Sequence, residues 1–203
     1  MLDPFLAPYL EDLLAWAAVG ARTTESQTHR ALVSGMPLPV GFKNGTDGNV
    51  QVALDAVISA RAPQPLVTFD AQGRPVACRT PGNPDGHVIL RGGRAAPNHT
   101  ADHVRATLGA LESAGVSRTV MVDCSHGNSG YDHTRQAAVL REALAQRVRG
   151  EPGVAGVMLE SHLHAGKQLL KPDAPLQYGV SVTDACIGWE ETEALLLEAH
   201  AAL

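Results

Sequence analysis

Five short apolar runs in this chain each end on a polar residue, and stretches with helical spacing separate them. Val19-Gly20-Ala21 runs into Arg22, Pro39-Val40-Gly41-Phe42 into Lys43, and Val88-Ile89-Leu90 into Arg91. Thr119-Val120-Met121-Val122 runs into Asp123, with His126 close behind, and Val154 to Leu159 runs into Glu160, with His162 close behind. The spacing of Leu10, Leu13, Leu14, Ala17 and Ala18 predicts a helix before the first run, and others are expected near 50–60, 101–114, 132–149 and from Thr192 to the end. Uninterrupted apolar strands alternating with amphipathic helices describe a parallel sheet covered by helices. Parallel strands bring their C-terminal ends to one side, so the polar residues should converge there.

A ring of polar groups on short strand-to-helix loops is how a TIM (β/α)8 barrel builds its site. A doubly wound sheet usually carries a Gly-rich phosphate turn after its first strand, and no G-x-G-x-x-G or G-x-x-x-x-G-K-[ST] occurs here. The expected fold is therefore α/β, a partial barrel of about five βα units. Leu66-Val67-Thr68-Phe69 and Val76-Ala77-Cys78, flanking Asp70-Ala71-Gln72-Gly73, add an inserted β-hairpin. Residues 1–203 read as one incomplete barrel domain, because two full domains would be cramped in 203 residues.

Composition narrows the partners. Lys+Arg 16 against Asp+Glu 21 gives a net charge of −5, with no basic excess to displace counterions along a nucleic acid. Cys78, Cys124 and Cys186 show no C-x-x-C spacing, which argues against a disulfide framework or zinc ribbon and fits a reducing cytoplasm. No apolar run reaches the roughly 18 residues of a membrane span, and Met1-Leu2-Asp3-Pro4 lacks a signal-peptide pattern.

Two groups of residues could carry chemistry. Arg22, Lys43 and Arg91 are cations at equivalent strand ends. Converging in a pocket of low dielectric, they would bind a small, multiply anionic substrate, and adjacent glycines would let the backbone approach it. His126, Glu160 and Asp184 form a mixed N/O donor set from three loops, suited to Mn, Fe, Co or Zn better than to calcium. Lys43 admits a second chemistry: desolvated and crowded by Arg22 and Arg91, it could form a Schiff base with a carbonyl substrate. Trp16 and Trp189 are expected to pack, the cysteines to be small core or loop residues, and Asp85 and His87 to be turn and supporting groups.

Several longer strings are specific. They are Gly20-Ala21-Arg22-Thr23-Thr24-Glu25-Ser26-Gln27, Pro39 to Gly48, Ile89-Leu90-Arg91-Gly92-Gly93, Ser125-His126-Gly127-Asn128-Ser129, Gly156 to His162, and Ser181 to Trp189. Together they closely resemble the class I 3-deoxy-7-phosphoheptulonate (DAHP) synthases, in order and over essentially the whole chain. The resemblance implies the first step of the shikimate pathway to the aromatic amino acids: phosphoenolpyruvate condenses with erythrose 4-phosphate and water, releasing phosphate. By matched position, Arg22, Lys43 and Arg91 would hold phosphoenolpyruvate, His126, Glu160 and Asp184 would ligate a divalent metal, and Lys43 and His126 would be the catalytic residues. It further implies a homo-oligomer or association with a full-length paralogue.

The family also carries a Gly-Pro-Cys-Ser stretch, whose cysteine is a fourth metal ligand, and a Lys-Pro-Arg-Thr stretch that binds both substrates. Neither string occurs here. The chain is thus expected to match strands 4–8 of the family barrel, opening at Met1-Leu2-Asp3-Pro4 after the third strand. Loss of the cysteine should weaken the metal site, and activity of the chain alone should be feeble. A non-catalytic remnant pairing with an intact paralogue, and a Schiff-base aldolase using Lys43, stand as alternatives. The hairpin resembles the family's effector-binding region, with the effector left open.

Overall fold

The computed structural model describes residues 10–70, 72–171 and 175–203. Met1-Leu2-Asp3-Pro4 lies outside them. Five strands form one parallel sheet in the order β1-β2-β5-β6-β7. They are β1 (Ala17–Val19), β2 (Val40–Lys43), β5 (Gly86–Leu90), β6 (Val120–Asp123) and β7 (Val154–Met158). The hairpin is present as predicted: β3 (Pro65–Phe69) pairs antiparallel with β4 (Pro75–Arg79), apart from the main sheet. Five α-helices lie among the described residues, α1 (Gln27–Gly35), α2 (Gln51–Arg61), α3 (Ala101–Ser113), α4 (Gln136–Val148) and α5 (Trp189–Ala202).

Alternation along each strand decides which side is buried. Ala17, Val19, Val40, Phe42, Val88, Leu90 and Val120 point to one face, where they pack with Val33, Leu54, Val57, Leu108 and Leu111 from the helices. Val122 continues that face into a second cluster with Val139, Leu140, Ala143 and Leu195. All five helices contribute to this one side, as in the wall of a barrel; a doubly wound sheet would have them on both. The opposite face carries Gly41, Lys43, His87, Ile89, Met121 and Asp123, among others.

Several local expectations fail. Ala17 and Ala18 belong to β1, and the predicted helix around positions 10–18 reduces to a 3-10 turn at Glu11–Leu13. Ala17 and Val19 alternate with Ala18, so a period of two overrode the helical spacing. The first strand consequently ends at Val19, and Gly20 begins a turn in which its carbonyl accepts from Thr23 N–H at 2.9 Å and from Thr24 Oγ1 at 3.1 Å. Helix α1 is absent from the sequence reading because its apolar residues, Ala31-Leu32-Val33, are contiguous; the usable signal was Ser26, whose hydroxyl caps His29 N–H. Trp189 does not pack: it is 54% exposed. Cys78 is likewise exposed, on a hairpin strand, whereas Cys124 and Cys186 are buried; all three thiols are free. No helix among the described residues is long and apolar enough to cross a membrane.

Candidate active site

At the C-terminal ends of adjacent strands lies one connected set of charges. Lys43, the last residue of β2, donates from Nζ to Asp123 Oδ2 at 2.7 Å. The same carboxylate oxygen lies 2.9 Å from His126 Nδ1, a close polar contact that is not aligned as a hydrogen bond. His126 Nε2 is 3.4 Å from Glu160 Oε1 and 4.0 Å from Asp184 Oδ2. Asp123 therefore bridges Lys43 and the His126, Glu160 and Asp184 group. The sequence places it at a strand end, but no motif marks it as a bridge.

Electrostatics follow from burial. Desolvation alone would raise the Asp123 carboxyl, but the His126 ring and the Lys43 ammonium outweigh it and hold it below the ordinary aspartate range. Burial pushes the Glu160 carboxyl above its ordinary value, and the neighbouring Asp184 and Asp123 charges add to this against the opposing pull of His126 and Lys43. Burial also raises the Cys124 thiol, which makes it a packing group and a poor nucleophile.

The ligand set tests well against a divalent cation. His126, Glu160 and Asp184 each offer a ligand atom within 4.8 Å of the others. Glu160 Oε2 is buried with no hydrogen-bond partner, the state of an acceptor that a cation would satisfy. One imidazole and two carboxylates suit a first-row divalent metal. His126 itself is in the left-handed region, φ 50, a conformation that costs a non-glycine residue about 1–2 kcal/mol and recurs at functional sites. His162 is not part of the cluster; it is exposed, and its Nδ1 accepts from Leu163 N–H at 2.8 Å. Cys186 donates instead to the Asp184 carbonyl at 3.5 Å.

The cations are less uniformly gathered. Arg91 is buried, and its guanidinium donates to Gly92 O at 3.1 Å and reaches Tyr131 Oη at 3.4 Å. Its main chain sits beside Lys43, because the Asn44 side chain accepts from Arg91 N–H at 2.8 Å. Arg22 lies exposed in the turn after β1. Lys43 itself pairs with an acid, Asp123, at 2.7 Å. Tyr131, also left-handed at φ 62, escaped the sequence reading, as did the amide network beneath the site. Asn44 Oδ1 also accepts from Asn98 Nδ2 at 3.1 Å, Asn98 Oδ1 accepts from Gly92 N–H at 2.7 Å, and Asn128 Nδ2 donates to Leu90 O and Asp123 O, both at 2.9 Å.

Gly92 and Gly93, beside Arg91, are points of close loop packing. A Cβ on Gly92, where φ is +73, would come within 2.5 Å of Asn128 N, and one on Gly93 would come within 2.6 Å of Asp47 O. Three loops therefore touch backbone to backbone. His87 lies at the other end of β5, where Trp16 Nε1 donates to its Nε2 at 3.0 Å, too far along the strand to support the cluster.

Known proteins resemble this chain in sequence and in fold. The model of the DAHP synthetase I family matches residues 1–197. A Tyr-sensitive phospho-2-dehydro-3-deoxyheptonate aldolase of Escherichia coli (strain K12) is 50% identical over 200 residues, covering 98% of this chain and 56% of that protein. A Tyr-sensitive relative from Enterobacter agglomerans is 50% identical over 199 residues, covering 98% of this chain and 93% of its own length. The structure of a phospho-2-dehydro-3-deoxyheptonate aldolase from Francisella tularensis SCHU S4 superposes with a TM-score of 0.94 at 44% identity, over 100% of this chain and 59% of that one. The chain thus spans a little over half the length of several relatives that it matches.

Proposed function

Since the chain belongs to the DAHP synthetase I family, we propose that it carries the phosphoenolpyruvate and metal half of a 3-deoxy-7-phosphoheptulonate synthase site. The reaction joins the methylene carbon of phosphoenolpyruvate to the aldehyde carbon of erythrose 4-phosphate, water adds at the enol carbon, and inorganic phosphate leaves. In this reading Lys43 and Arg91 hold the phosphate and carboxylate of phosphoenolpyruvate, and Arg22 reaches them from its exposed turn. Asp123 orients the Lys43 ammonium and the His126 ring together. His126, Glu160 and Asp184 would hold the divalent metal, with Lys43 and His126 as the catalytic pair. That ion, when bound, would supply polarisation of the aldehyde oxygen during carbon–carbon bond formation.

The observation that carries this reading is the unbroken chain of contacts from Lys43 through Asp123 and His126 to Glu160. The same pairing argues against the Schiff-base alternative, because Lys43 is engaged as an ammonium by Asp123 at 2.7 Å. Calorimetric titration of phosphoenolpyruvate into the 203-residue chain tests it directly. Lys43→Met and Arg91→Met are each expected to weaken binding about tenfold or more, as loss of a charge-assisted contact does. A chain that binds no phosphoenolpyruvate would sink the proposal. Turnover is to be assayed as phosphate release after supplying a relative's N-terminal part, with the Gly-Pro-Cys-Ser and Lys-Pro-Arg-Thr strings, in trans. Binding without turnover, together with co-purification with an intact synthase, would favour the associating, non-catalytic module.

A further inference from the structure

Helix α4 opens with Gln136, whose side chain is fully buried. Both ends of its amide are committed to the main chain of one residue: Oε1 accepts from Glu160 N–H at 2.8 Å, and Nε2 donates to Glu160 O at 3.0 Å. Ile187 N–H donates to the same carbonyl at 3.0 Å, so the segment that carries Asp184 is fastened at that point too. An amide bonded to both main-chain groups of a residue fixes its height and its rotation about the chain. The Glu160 carboxyl then has one oxygen near His126 and the other buried without a partner, and ligand geometry of this kind tolerates errors of only about 0.5 Å.

We propose that Gln136 is a positioning residue: by clamping the Glu160 main chain, it sets the affinity of the His126, Glu160 and Asp184 cluster for a divalent cation that it never touches. This rests on the metal reading of the cluster given above. Gln136→Met removes both bonds while keeping an unbranched side chain. A matched control exists on the same helix. Gln146, 4% exposed, donates to His99 O at 2.8 Å and lies about 15 Å further along the helix axis.

The test is a Mn²⁺ titration of the full chain followed by electron paramagnetic resonance, with a thermal melt of each variant. Gln136→Met should weaken Mn²⁺ binding about tenfold, the lower range for partners that orient metal ligands. Gln146→Met should lower the melting temperature comparably and leave Mn²⁺ affinity within about twofold. Should Gln136→Met fail to fold, Gln136→Asn, which keeps an amide one methylene too short to span both groups, should show the same loss. Unchanged affinity in the Gln136 variants, or equal weakening by Gln146→Met, overturns the inference. A wild-type chain that binds no Mn²⁺ overturns the metal reading beneath it, a failure visible before any substitution is made.

Discussion

The loops after β2, β5 and β6 and the long segment after β7 both deliver residues to the candidate site, yet they are built in opposite ways. The first three are knitted together by buried Asn44, Asn98 and Asn128 and touch backbone to backbone at Gly92, Gly93 and Gly127. The fourth, in its described residues 161–171 and 175–188, is held by isolated bridges at Ser161, Gly166 and Lys167 and by scattered main-chain bonds such as His164 N–H to Gly179 O at 2.8 Å, and it exposes Leu169, Leu170 and Tyr178. Asp184, its contribution, is 66% exposed, against 1% for Asp123. The side that carries Lys43 and Arg91 is therefore closely packed and preorganised, while Asp184 sits on a more solvent-exposed segment.

Substitution of equivalent devices on the two sides measures that difference. Asn44 and Gln168 are both amide staples. Asn44→Ala strips partners from Arg91 N–H, Gly92 O and the Asn98 amide, all buried, and should cost about 3–5 kcal/mol in denaturant unfolding. Gln168→Ala frees Gln177 and Val180 main-chain groups at the surface, where water replaces the bonds, and should cost about 1 kcal/mol. Equal losses would erase the distinction. Gly92→Ala combines a left-handed φ with a backbone clash and should cost about 3 kcal/mol. Gly166→Ala meets nothing within 4 Å at φ +92 and should show only conformational strain, about 1 kcal/mol.

The smallest effect comes from an ion pair outside both regions. Arg118 Nη1 and Glu151 Oε1 are 2.8 Å apart ahead of β6 and β7, and the bond from Arg118 holds the Glu151 carboxyl below its ordinary value of 4.5. Because the folded pKa is depressed, this stabilisation is complete above pH 4.5 and disappears as pH falls through the folded value. Glu151→Gln should flatten the acid limb of stability by less than about 1 kcal/mol, as expected for an exposed pair. Urea midpoints between pH 3 and pH 7 provide the measurement.

What could be read beforehand follows the range of the interaction. The five strands, the hairpin and four of the five helices announce themselves through local periodicity and turn residues. Lys43, Arg91, His126, Glu160 and Asp184 are legible as strand-end or loop polar groups because parallel pairing collects them. Asp123 as bridge, Gln136 as clamp and the asparagine network are not, since each depends on which loop lies opposite, up to 80 residues away for Asp123 and Lys43. Family strings nominate Arg22 equally with Lys43, but a motif has no means of saying that its turn leaves it in solvent.

One consequence of the left-handed backbone at His126 concerns how this protein could be engineered. Glycine or asparagine would relax that dihedral, so a library sorted on heat tolerance alone would drift towards them at position 126 and discard the imidazole. Any thermostabilisation campaign on this scaffold needs a binding screen running beside it.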